Sequence, residues 1–164
     1  MARSLFGVSI DYSRVRVHNE EYLWFGLQDD DIAMTPNGEL YFNPKRFKED
    51  FSTSSFGDSL WFMHEMVHVW QYQLGYPVKL RGAVRIGLSY SYALGADKRL
   101  TDYDMEAQGN ILSDYWALKN FRKPPILWER KHSNDLPLYE KVLENFIASP
   151  SDKANLPRLY KKAF

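Results

Sequence analysis

The 164-residue sequence contains no cysteine. That excludes disulfides, thiolate zinc ligands and a cysteine nucleophile, so any metal must sit on histidine and carboxylate. The chain also lacks an excess of either charge: 21 Lys and Arg balance 21 Asp and Glu. A nucleic-acid partner held by counterion release needs a basic stripe, whereas the basic residues here are scattered, and the densest short cluster is Lys161-Lys162. No apolar run approaches the roughly 18 residues of a membrane span. Residues Leu5 to Ile10 offer only a stub of a secretory leader before Asp11. The expectation is therefore synthesis in the cytoplasm with no signal peptide. Internal repeats and low-complexity tracts are absent.

What remains is the balance of a soluble globular protein, 45% hydrophobic and 26% charged. The length predicts a single domain over 1–164 with a real core, and a mobile tail from about residue 149. Aromatics are plentiful at 16%. They are read first as core, and second as the lining of a cleft.

The chain divides into strands first and helices after, an α+β pattern. Phe6, Val8 and Ile10 alternate, followed by Val15 and Val17. Asn37-Gly38 between residues 32–35 and 39–42 predicts a hairpin, since both residues tolerate positive φ, and hence a small N-terminal antiparallel sheet. Leu60, Met63, Val67, Trp70 and Leu74 then recur at helical spacing, capped by Asp58 or Ser59 and stopped by Gly75 and Pro77, which predicts a helix over 59–74. Residues 83–93 alternate again as a strand or extended loop. A second helix is announced at Thr101 by a hydroxyl cap with Asp104 three residues later, and Pro124-Pro125 forbid its continuation. A third helix is expected at about 138–148.

Inside the first helix stands His64-Glu65-Met66-Val67-His68, an HExxH. Residues four apart on a helix lie one above the other, so both imidazoles converge on one ion. Glu65 points about 100° around, beside the ion's open position, where a base takes a proton from water. Composition alone yields this run with a probability of roughly 0.5%, which favours meaning over accident. The apolar neighbours Met63, Met66, Val69 and Trp70 predict that the helix is buried, and buried histidines and a glutamate need partners. A metal supplies one.

Catalytic zinc takes three protein ligands. The helix does not continue as HExxHxxGxxH, because Gln71 and Leu74 occupy those positions. His18 and His132 stand in no motif and are read as surface residues. Glu106, in the first turns of the second helix, is the better third ligand; Gly109, Asn110 and Ser113 on its stripe are small enough to let another helix approach. Asp102 and Asp104 are explained by capping.

The run Phe62 to Gln73, with Tyr103-Asp104-Met105-Glu106-Ala107-Gln108 and Ser113-Asp114-Tyr115 downstream, resembles the zincin-like metallopeptidase domains attached to type VI secretion spike proteins and Rhs elements. Ala33 to Gly38 and Asp50-Phe51-Ser52 fit the same pattern, so the resemblance spans about residues 5–120. It implies a zincin-like fold, zinc (Zn2+) on His64, His68 and Glu106, and a catalytic Glu65. One departure stands out. Where glutamate zincins of the thermolysin kind have an aspartate one turn after the ligand glutamate, this chain has Asn110. Support for a histidine then falls to Asn110 or to Asp114 a further turn on.

The resemblance also implies an antibacterial effector that hydrolyses a peptide or protein, delivered by a contact-dependent machine into the target cell envelope. Its partners would be a secretion spike and a producer-side immunity protein. Tyr103, Tyr92 and Tyr90 are the candidates for an oxyanion donor, and 39–43 is the expected edge on which substrate adds as a strand. Two rival readings stand beside this one: a non-catalytic zincin-fold module that binds a spike or immunity partner, and an amidase of peptidoglycan cross-links.

Overall fold

The computed structural model describes residues 1–22, 33–79 and 88–158. The expected extended run over 83–93 lies outside the described residues for 83–87, and Lys161-Lys162 also lies outside them.

The two long helices form, but the first starts three residues earlier than expected and is capped by Ser55 rather than by Asp58 or Ser59. α2 spans Phe56–Gln73; Ser55 caps it, its Oγ accepting from the Asp58 amide at 3.2 Å. It ends at Gly75, whose φ of 97° suits a residue without Cβ. There the Tyr76 amide donates to the Gln71 carbonyl and the Gly75 amide to Tyr72, which satisfies the last orphan carbonyls. α3 spans Met105–Asn120 and is capped by Asp104, which accepts from the Ala107 amide at 3.0 Å. The expected start at Thr101 is instead a separate 3₁₀ turn, Leu100–Asp102. α2 and α3 are buried over most of their length and pack against each other.

The N-terminal region departs from the alternating pattern. Phe6 and Ile10 are buried, but Val8 between them is 95% exposed. Arg3–Phe6 form a short helix, α1, and Gly7 at φ 53° turns the chain after it. Spacing of four between Phe6 and Ile10 satisfies a helix-and-turn as well as a strand. The antiparallel sheet is likewise corrected. β1 (Val17–His18) and β2 (Leu40–Tyr41) pair in parallel, with Val17 opposite Leu40. The Asn37-Gly38 turn exists, with Gly38 at φ 81°, but its antiparallel pairing is one bridge, Met34 to Tyr41. Gly38 lies so close to α2 that a Cβ there would stand 2.5 Å from the Tyr72 ring. The turn is packed onto the helix rather than projecting as a hairpin.

The third helix is broken into α4 (Leu136–Val142) and α5 (Glu144–Ala148), a bend that buries Val142, Leu143 and Phe146 together. Phe6 and Trp70 stack at this point, and Phe146 meets both rings edge-on. Residues 149–158 are not a loose tail. The Pro150 carbonyl accepts from Trp70 Nε1 at 2.7 Å, and Asn155 is buried in a 3₁₀ turn. Among the described residues, no helix is long and apolar enough to cross a membrane.

Candidate metal centre

His64 and His68 stand one turn apart on α2, and Glu106 faces them from the first turn of α3. All three are buried. The helices reach this separation because Gly109 lies opposite His64. A Cβ there would sit 2.5 Å from His64 Cε1 and 2.7 Å from Nδ1.

The three inward atoms form a nearly equilateral triangle. His64 Nε2 and His68 Nε2 are 3.1 Å apart, and each lies 3.2 Å from Glu106 Oε2. Ligands on a tetrahedral ion with bonds of about 2.0–2.1 Å stand about 3.3 Å from one another. The outer nitrogens complete the argument. His64 Nδ1 is 2.7 Å from Asn110 Oδ1, and His68 Nδ1 is 2.8 Å from Gln71 Oε1. Each amide's NH₂ is turned away and donates to a carbonyl oxygen, Asn110 to Tyr90 and Gln71 to Met105 and Gln108. Both imidazoles therefore donate from Nδ1, and in their neutral form present lone pairs at Nε2. Two lone pairs and a carboxylate oxygen converge on one point, and such a set fits a cation. His64, His68 and Glu106 can hold a metal ion.

The electrostatics agree. Burial opposes charge on His68, but the Glu106 carboxylate outweighs it and raises the imidazole to about 9. Burial likewise opposes an ionised Glu106, yet His68 and His64 hold its carboxyl well below the usual carboxylate range. The site calls for positive charge.

Glu65 is buried one position along α2, and the Thr35 hydroxyl donates to its Oε2 at 2.6 Å. Over His64 lie two aromatic rings, Trp128 at 5.6 Å and Tyr90 at 6.4 Å between centroids. Trp128 also walls an open groove of about 420 Å³, lined by Leu60, Trp61, Ile126 and Arg46.

The other sequence candidates separate clearly. Asn110 is the residue that touches a histidine; Asp114 instead accepts from the Trp128 and Glu129 amides and the Tyr92 hydroxyl. Burial raises its carboxyl to about 6. The Tyr103 hydroxyl donates to the Ala93 carbonyl, and Tyr92 is engaged with Asp114 and Tyr139. Asp104 caps α3 as expected, while Asp102 accepts from the Arg99 amide and pairs with Arg158. His18 is half-buried against Glu39. His132, expected on the surface, is buried and bonded to Asp135 and the Leu94 amide.

The edge 39–43 is not open. The Leu40 and Phe42 amides donate to Arg16 and His18, and Tyr41 exchanges bonds with Met34. Sequence reasoning missed Thr35, Gln108 and Trp128, and used Gln71 only to exclude a longer motif. Gln71 had a signal: three residues after His68 it shares that histidine's helix face.

The chain is 43% identical over 128 residues to the type VI secretion system spike protein VgrG2b of Pseudomonas aeruginosa, a match covering 73% of this chain and 12% of that protein. Its fold is similar to the solved effector domain of P. aeruginosa VgrG2b, with a TM-score of 0.68 and 35% identity over 89% of this chain and 76% of that one. No family model matches. The chain thus corresponds to a small part of the whole spike protein's length.

Proposed function

Since the chain belongs to the family of the VgrG2b effector domain, we propose that it is a zinc-dependent hydrolase, a metallopeptidase that acts as a secreted antibacterial effector. The observation that carries this reading is the convergence of His64 Nε2, His68 Nε2 and Glu106 Oε2, with Glu65 close enough to act electrostatically on His68. His64, His68 and Glu106 would hold a zinc ion, which would supply Lewis acidity towards the scissile carbonyl and would lower the pKa of a bound water towards about 7. The Thr35 hydroxyl occupies Oε2 of Glu65 and fixes the carboxylate, so the proton of the attacking water goes to Oε1. From Oε1 the same proton passes to the leaving amine, which restores the carboxylate.

With 39–43 paired on both sides, the substrate chain is taken instead to run beside 33–35, where Thr35 couples the backbone to Glu65. The groove beside Trp128 accommodates a substrate side chain. The effector reading carries with it a spike for delivery, an immunity partner in the producer, and a target in the envelope of the recipient cell. The chain is taken to work as one domain over 1–164.

Two measurements test this. Purified protein should carry one zinc, lost on Glu106→Ala; Glu65→Gln should retain zinc and lose cleavage of mixed peptides and of peptidoglycan stems. Retained activity in Glu65→Gln would overturn the role of Glu65. Zinc without cleavage of either substrate class would favour the binding-module reading. Expression directed to the periplasm should be toxic and cytoplasmic expression harmless; harmlessness in both refutes the effector role.

A further inference from the structure

His68 is not oriented by Gln71 alone. Gln71, Gln108 and the carbonyl of Asn155 form a buried chain of hydrogen bonds that runs from the metal centre to the C-terminal segment. His68 Nδ1 donates to Gln71 Oε1 at 2.8 Å, Gln71 Nε2 donates to Gln108 Oε1 at 3.0 Å, and Gln108 Nε2 donates to the Asn155 carbonyl at 3.0 Å and the Leu100 carbonyl at 2.8 Å. Both glutamines are 0% exposed and Asn155 is 2% exposed.

The chain has a direction, and its far end sets it. A carbonyl oxygen only accepts, so the two carbonyls require the NH₂ of Gln108 to face them. Its oxygen must then face Gln71, which turns the NH₂ of Gln71 towards Gln108 and its oxygen towards His68. Reversing either amide would set oxygen against oxygen between two side chains that are closed to solvent. The Asn155 and Leu100 carbonyls on Gln108, reinforced by the Met105 carbonyl that accepts from Gln71 Nε2 at 3.2 Å, thereby select the nitrogen through which His68 binds. The segment 149–158 that carries Asn155 is itself held: Trp70 Nε1 donates to the Pro150 carbonyl, Asn155 Nδ2 to the Ser149 carbonyl, and the Thr101 hydroxyl to the Leu156 carbonyl at 2.8 Å.

We propose that Gln108 is a positioning residue for the metal centre and that segment 149–158, through the Asn155 carbonyl, is its anchor. The inference rests on the metal reading above and adds to it a part of the chain that touches no ligand atom.

The test uses the full chain with zinc alone as probe. In Gln108→Met, of similar volume but without the amide, zinc affinity by chelator competition should fall about 10- to 100-fold. In the zinc-loaded wild type, the His68 Nδ1 proton should give a slowly exchanging ring signal by NMR, and its exchange should quicken in the variant while the far-ultraviolet spectrum is unchanged. Thr101→Val, which loosens only the segment, should weaken zinc binding in the same sense by about threefold; it also serves if Gln108→Met does not fold. Wild-type protein that takes up no zinc overturns the metal reading, and this inference with it. Zinc binding by both variants within 1.5-fold of wild type, on the order of measurement scatter, with the His68 ring proton unmoved, overturns the relay alone.

Discussion

Replacing Gly109 by alanine adds one methyl group to α3, and two opposing effects decide the outcome. As a mid-helix substitution it should stabilise, since glycine is about 1 kcal/mol less favourable than alanine in a helix. Against that, the new Cβ would meet His64 at 2.5 Å from Cε1, 2.7 Å from Nδ1 and 3.0 Å from Nε2. Carbon contacts settle near 3.5–4.0 Å, so the ring must retreat by about 1 Å. The ring that would have to yield is constrained: His64 is tied to Asn110, which is itself bonded to the Tyr90 carbonyl. Overpacking of this kind destabilises by about 1–3 kcal/mol. The metal-free protein should therefore lose only about 0–2 kcal/mol.

Zinc binding should suffer far more, because metal–ligand distances tolerate only about 0.2 Å. With zinc at about 1,000 times the wild-type Kd, binding adds about 4 kcal/mol to wild-type stability; a 100-fold weaker Gly109→Ala protein would gain only about 1.4 kcal/mol. Urea unfolding with and without zinc reads both quantities. A variant that is stabilised by about 1 kcal/mol and gains as much from zinc as wild type would refute the close approach of the helices as the basis of the site.

Three further outcomes follow from individual contacts. Thr35→Val removes the hydroxyl on Glu65 and should lower turnover about tenfold while zinc affinity stays within about twofold, measured by steady-state rates beside chelator competition. Tyr103→Phe should leave turnover within about twofold and reduce stability by about 1 kcal/mol, because its hydroxyl is committed to Ala93; a loss of turnover without loss of stability would restore it as an oxyanion donor. Burial raises the Asp114 carboxyl from 3.8 to about 6, so between those pH values the folded state holds a proton that the unfolded chain has released. Its contribution is fully present below pH 3.8 and is lost as pH rises through about 6, a change of about 3 kcal/mol; the stability of wild type relative to Asp114→Asn should decline over that window, and a flat difference would refute the shift.

The metal-bearing helices were readable because their signals are local. HExxH places two imidazoles on one face by helix geometry alone, Gly75 and Pro77 stop α2, and the small stripe at Gly109 and Ser113 announces a close neighbour. Glu106 could be chosen because that stripe lies on its own helix. The N-terminal region was misread because its pairing is not local. β2 takes its main partner from residues 17–18 across more than 20 positions, and nothing in the Asn37-Gly38 turn encodes that. Phe6 and Ile10 satisfy two periodicities at once, and only the exposure of Val8 decides between them. Thr35 and Trp128 reach the site from loops, where spacing carries no information about approach to a distant helix.

The supports of the two histidines explain how the chain manages without the aspartate found in the thermolysin kind. A carboxylate orients an imidazole unaided, because both its oxygens accept. An amide does so only if something fixes which end faces the ring. Here each amide is fixed by backbone carbonyls, that of Tyr90 for Asn110 and those of Met105, Leu100 and Asn155 for Gln71 and Gln108. Neutral support has an electrostatic consequence. An aspartate at position 110 would add a third buried carboxylate to Glu65 and Glu106, one turn from Glu106, with the desolvation that a buried carboxylate carries. The amides leave Glu106 as the anionic ligand facing the two imidazoles. The orientation of the histidines is thus delegated to backbone carbonyls at 90, 100, 105 and 155, which is why residues far from the HExxH in sequence belong to the same centre.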